Sequence, residues 1–361
     1  MLKAGQPQHT GQPAHAGQPP KTALPLETVL FCVFTLIALA VIALTQLGLP
    51  VLLPPPVVQL VILGVLVGVL GLPHGALDPL IARRAGLWRR PLGFLGFNLG
   101  YIALVAAVVA VWILAPGPSL GFFLLISGIH FGADWNADRS LWLRIPPGLA
   151  LLTLPAWAHH AEVAAIYRTL AGTDGVMIAN LQNTLGPAAL GVMLLGAVVA
   201  IRSKPHHALE LLLAAALAAL APPLIFFVIY FCALHSVRHL THGFRVGRAA
   251  GMMARSARFA RLAVTAGPAA STGRGAFLGP VASARRAISW PIIIVVGYTL
   301  GPILAVAALW GSFGSVSLSD RMTQLVFIGL AALTVPHMVV VAAEARTEPP
   351  VRGIHLSKAT P

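Results

Sequence analysis

Two stretches of this chain place an aspartate four residues after a histidine inside an apolar run: Gly71-Leu72-Pro73-His74-Gly75-Ala76-Leu77-Asp78 and Gly128-Ile129-His130-Phe131-Gly132-Ala133-Asp134. On a helix, positions i and i+4 share a face. A carboxylate there can accept the ring N–H of a metal-bound imidazole, or of a neighbouring one, and so fix the ring's tautomer and orientation. The plainer alternative has Asp78 and Asp134 simply ending their helices at a membrane interface. An anion near a helix C-terminus opposes the helix dipole, and Pro79 makes 78 a boundary, so the partnered role is the better account.

A third element, His235-Ser236-Val237-Arg238-His239, sets two imidazoles one turn apart, the spacing with which a single helix offers two nitrogens to one metal. An isolated pair of this kind recurs by chance in many chains. His242 continues the same face as a lesser candidate, and His337, in Val335-Pro336-His337-Met338, reads equally well as a core histidine bonded to a neighbouring helix. Neutral imidazole suits Fe, Zn, Cu and Ni alike, so ligand type alone does not choose the metal. A second cluster, His159-His160-Ala161-Glu162, is either interfacial or an outer-shell or substrate-path element. His206, His207 and the tail histidines His9, His15 and His355 take no site role, and Cys32 and Cys232 lack the close spacing of a thiolate site.

The elements that must position these side chains are membrane helices. Of 361 residues 57% are hydrophobic and only 9% charged, with a mean hydropathy of +0.84, which no soluble core matches. Runs and breakers together predict an all-α bundle of about ten spans, near 26–47, 54–78, 92–115, 119–137, 145–165, 185–201, 207–221, 223–241, 289–310 and 322–344. Residues 1–25 and 346–361 read as tails around a transmembrane catalytic domain, 26–345. The apolar run from Thr22 to Gln46 is too long for a cleavable signal, and no small-residue cleavage site closes it.

With both termini in the cytoplasm, all 24 lysines and arginines except Arg168 and Arg321 fall on the inner side, as the positive-inside rule demands. This is the pattern of a multi-pass protein of the cell (inner) membrane. The net charge of +14 lies between the apolar runs rather than on a basic face with accessible aromatics, which excludes nucleic acid as a partner. The basic 242–288 loop reads either as a solvated segment or as one lying on anionic membrane lipid. On this topology His74, His130, His235, His239 and His337 share one depth, in the cytoplasmic halves of parallel spans. Gly64, Gly68, Gly71 and Gly75, with Gly128 and Gly132, supply small residues at four-residue spacing for close helix approach.

The segments PHGALD (73–78), HFGADW (130–135), HSVRH (235–239) and VPHM (335–338), in this order, resemble the Brp/Blh family of bacterial and archaeal membrane β-carotene 15,15'-dioxygenases. The resemblance covers roughly 50–345. It implies Fe(II) held by His74, His130, His235 and His239, with Asp78 and Asp134 behind them. It also implies O2 splitting the central double bond of β-carotene into two retinal molecules, and a retinal-binding rhodopsin as a downstream partner. The chain departs from the family pattern in its long basic loop, its long N-terminal tail and the doubled His159-His160. A carotenoid has nothing to hydrogen-bond, so the cleaved bond must be selected by an apolar tunnel, for which Phe131, Trp135, Trp157, Phe227, Tyr230, Phe231 and Trp290 are candidates, although packing explains each aromatic as well. Two rivals remain. A transporter or channel would pass protons or metal ions along the same histidines and aspartates. A di-iron desaturase would need more histidine boxes than this chain carries.

Overall fold

Proline opens one helix after another, because the first turn of a helix has no intrahelical partner for its N–H groups and loses nothing when one is missing. Pro56, Pro79, Pro91, Pro205 and Pro223 all stand in a first turn. The computed structural model describes residues 24–49, 53–136, 140–245, 293–305 and 317–347, and of Pro73, His74, Asn136 and Leu141 the backbone alone. The remainder of the predicted tails, most of the basic 242–288 loop and Trp290 lie outside the described residues.

The chain order is α1 (Leu26–Gln46), α2 (Pro56–Gly71), α3 (Leu72–Gly75), α4 (Asp78–Arg84), α5 (Pro91–Leu114) and α6 (Pro116–Asn136). It continues through α7 (Leu141–Ala158), α8 (His160–Ala200), α9 (Pro205–Leu220), α10 (Pro223–Arg245), α11 (Ile293–Ala305) and α12 (Leu318–Thr347). Among the described residues there is no strand. By length and composition α1, α5, α8, α10 and α12 can cross a membrane, and α2, α9 and α11 are shorter apolar helices. Along α5 only Trp112 is buried, so an apolar surface of bilayer character faces outward.

Two boundaries differ from those the sequence predicts. The span ending at 78 breaks earlier, and Asp78 opens the new helix α4 with Pro79 beside it. Its carboxylate therefore sits at a positive helix end rather than a negative one. Residues 166–184, expected between spans, are helical within α8, interrupted at Ala171 and at Gly172, whose φ is +61°. Glycine takes that left-handed conformation without a Cβ penalty, and the chain reverses there. The two arms then run side by side, since a Cβ at Gly175 would strike the carbonyl of Tyr167, and His160 hydrogen-bonds Asn180.

The glycines of α6 do what their spacing foretells. A Cβ at Gly128 would strike Leu149, one at Gly132 the carbonyl of Arg144, and one at Gly148 the carbonyl of Gly128. Helices α6 and α7 thus lie antiparallel with their backbones in contact. On α2, Gly71 makes room for the ring of Phe231 on α10.

Candidate metal centre

His130 on α6 and His235 and His239 on α10 each bring a ring nitrogen within 4.8 Å of the others. The His130 ring centroid lies 4.8 Å from that of His235 and 5.1 Å from that of His239, which are themselves 4.5 Å apart. His130 and His235 are buried and His239 is half-buried. His337 on α12 joins them, its ring 5.2 Å from His130 and 6.1 Å from His239. The backbone of His74 lies in α3; its side chain is outside the described residues.

Each aspartate bonds a histidine on another helix. Asp134 accepts from Nδ1 of His235 at 3.0 Å and from the Tyr230 hydroxyl at 2.6 Å. Asp78 accepts from Nδ1 of His337 at 2.7 Å and from the Tyr101 hydroxyl at 2.9 Å. Buried carboxylates are costly unless their lone pairs are filled, and here both are filled by imidazole and phenol.

A local departure from α-geometry places Tyr230 and His235 on one carboxylate. In an α-helix of 3.6 residues per turn, residues five apart point about 140° away from each other. Ile229–His235 is a π-turn, which closes i to i+5 and brings the two side chains to the same side. Beyond it the chain returns to α-geometry, so His239 follows His235 on one face.

Behind the histidines lies an ionic knot. Arg238 donates to the backbone carbonyl of Asp134 at 2.9 Å and to Glu210 at 2.7 Å, with Glu27 at 3.8 Å. Glu210, fully buried, also accepts from Thr28 and from the Trp135 indole. Four helices, α1, α6, α9 and α10, meet in it. Sequence reasoning passed over Glu27 and Glu210, although a carboxylate inside an apolar helix is the very signal that should find them. Tyr101 and the hydroxyl of Tyr230 carry no comparable signal, because nothing in their spacing points to an acid on another helix.

The other candidates lie apart. His159 stands 3.9 Å from Glu162 and His160 bonds Asn180, about 18 Å along α7 from the level of His130 at 1.5 Å per residue. His242 is exposed one turn beyond His239. Among the tunnel candidates, Phe131 and Phe227 line an apolar cavity with Phe123, Leu152, Ile166 and Phe327. Phe131 also packs edge-on against His235 at 4.8 Å, so its ring stands between the cavity and the histidines. Phe231 stacks on His235, Trp135 and Tyr230 serve the carboxylates, and Trp157 packs over Gly186.

An apolar helical bundle with imidazoles converging from separate helices, two of them held by buried carboxylates, defines a membrane protein with a centre fit for a divalent metal; neutral nitrogen donors of this kind suit iron among others. Comparison with known proteins agrees with that class. Residues 65–343 match the family model described as beta-carotene 15,15'-dioxygenase. The chain is 30% identical over 294 residues to the beta-carotene 15,15'-dioxygenase of the uncultured marine bacterium 66A03, covering 76% of this chain and 90% of the relative. It is 26% identical over 308 residues to a probable beta-carotene 15,15'-dioxygenase Blh of Halobacterium salinarum, covering 76% and 80%. No solved structure matches. The chain belongs to the beta-carotene 15,15'-dioxygenase family.

Proposed function

We propose that the protein is an iron-dependent dioxygenase that cleaves β-carotene at its central 15,15' double bond with O2, giving two all-trans-retinal molecules. The observation that carries this reading is the convergence of His130, His235 and His239 within 4.8 Å, in a chain that matches the family across 65–343. The metal is Fe(II), held by these three and by His74, a role that the resemblance of the PHGALD segment supports. Iron bound there supplies the electron chemistry by which O2 reacts with a closed-shell polyene.

The chain's own residues do the rest. Asp134 fixes the tautomer of His235, and Tyr230 holds the carboxylate in place. The aromatic walls of the cavity orient the polyene by shape and keep water from the reacting bond. A substrate dissolved in the bilayer explains why the site is built inside membrane helices. We place both termini in the cytoplasm of a ten-span protein of the inner membrane, with lipid around it and a retinal-binding rhodopsin as the product's acceptor.

Expression in a β-carotene-producing bacterium should bleach the cells and yield retinal on chromatography. His130→Ala or His235→Ala should abolish both effects. Unchanged β-carotene despite good membrane expression would overturn the reading, and solute flux without O2 consumption would point to a transporter instead.

A further inference from the structure

We infer that His337 is a further ligand of the metal at this centre and that Asp78 is the residue that orients it. The ligand set then draws on α12 as well as on α6 and α10. The inference rests on the metal-centre reading above and goes beyond the four histidines that the family resemblance implies as ligands.

The structure contains two copies of one arrangement. In the first, the Tyr230 hydroxyl and Nδ1 of His235 bond the two-oxygen head of Asp134. In the second, the Tyr101 hydroxyl and Nδ1 of His337 bond Asp78 in the same way. Both aspartates come from the His-x-x-x-Asp repeat, and both histidines come from a different helix. The resulting rings flank His130 alike. His235 stands 4.8 Å from it at an interplanar angle of 79°, and His337 stands 5.2 Å from it at 80°.

A carboxylate on Nδ1 fixes the other ring nitrogen as the one that faces away, which is the orientation a metal ligand requires. His235 already meets the test of convergence with His130 and His239. His337 has the same tether, the same angle to His130 and a similar distance. Its burial matches too, with 5% of His337 and none of Asp78 exposed. A histidine that only filled space would not need a second buried carboxylate and a phenol behind it, since burying the acid carries a solvation cost that packing alone does not repay.

Purified full-length protein, stripped of metal and titrated with Co(II) in detergent, gives a visible spectrum that reports ligand number and a chelator competition that reports affinity. His337→Ala should alter the spectrum and weaken Co(II) binding at least tenfold. Asp78→Asn should act in the same direction, on the order of 10–100-fold. If Asp78 works through His337, the double variant should be no weaker than His337→Ala alone. Parent affinity and an unchanged spectrum in His337→Ala would overturn the inference, as would a fall in the melting temperature of the metal-free protein with Co(II) binding intact. Should His337→Ala fail to fold, His337→Gln keeps the volume and gives the same two readings. None of these measurements involves a carotenoid, so failure of the retinal assay would not be mistaken for failure of this ligand assignment.

Discussion

Asp134 carries three jobs within one residue: its carboxylate takes the Tyr230 hydroxyl and the His235 ring, and its backbone carbonyl takes Arg238. Asn in its place retains the shape but offers only one acceptor oxygen, so phenol and imidazole compete for it. We expect Asp134→Asn to weaken metal binding on the order of 10–100-fold, as loss of an orienting partner does, and Tyr230→Phe to weaken it less. Chelator competition with Co(II) checks both. The four-residue spacing marked these aspartates as partners for an imidazole, and each bonds one. Which histidine each one serves was not legible, because i and i+4 describe one helix surface while the observed partners sit on α10 and α12. That choice is made by packing between helices.

The helices themselves were largely legible, since apolar length and N-terminal proline are local signals; α9 begins at Pro205 and α10 at Pro223, within two residues of the predicted spans. Local signals fail where a polar stretch is held helical by its neighbours. Residues 166–184 fall between predicted spans, yet only Ala171 and Gly172 leave helical geometry to make the reversal, and the residues on either side stay in helix. The π-turn at Ile229–His235 has no composition of its own and was equally hidden. What binds the elements around the centre is the Glu210–Arg238 knot, and it is sensitive to breaking one partner. Glu210→Ala would take from the largely buried guanidinium its nearest carboxylate and leave only Glu27 at 3.8 Å, a loss of up to about 3–5 kcal/mol. The expected result is a clear drop in melting temperature in detergent, much of it recovered when Arg238→Met is added, because the pair as a whole is worth far less than its half.

At the scale of the molecule, the topology proposed above sets the candidate metal centre and the His159–Glu162 cluster toward opposite faces of the bilayer. From Leu141 to Leu170 the chain passes through α7 and the first arm of α8, with a break in helical geometry at His159, alongside the 21 residues of α6, which span about 31 Å at 1.5 Å per residue, the thickness of a bilayer's hydrocarbon core. Helix α6 runs back along this path, and its first turn at Gly117 meets Asp174 beside the Gly172 reversal. Helix α12 starts at the same end, where Asp320 accepts from Thr169 at 2.9 Å, and reaches the centre with His337 farther along. On the topology proposed above, the Ser140 end lies in the cytoplasm and the Thr173 end outside. Both residues are exposed. With Cys32 and Cys232 first changed to serine, a cysteine at Ser140 should react with a membrane-impermeant maleimide only after the cytoplasmic side is opened, and a cysteine at Thr173 should react in intact cells with the outer membrane permeabilised. Labelling of both from one side would mean that α7 with the first arm of α8 does not span, and the common depth of His130, His235 and His337 would then need another frame.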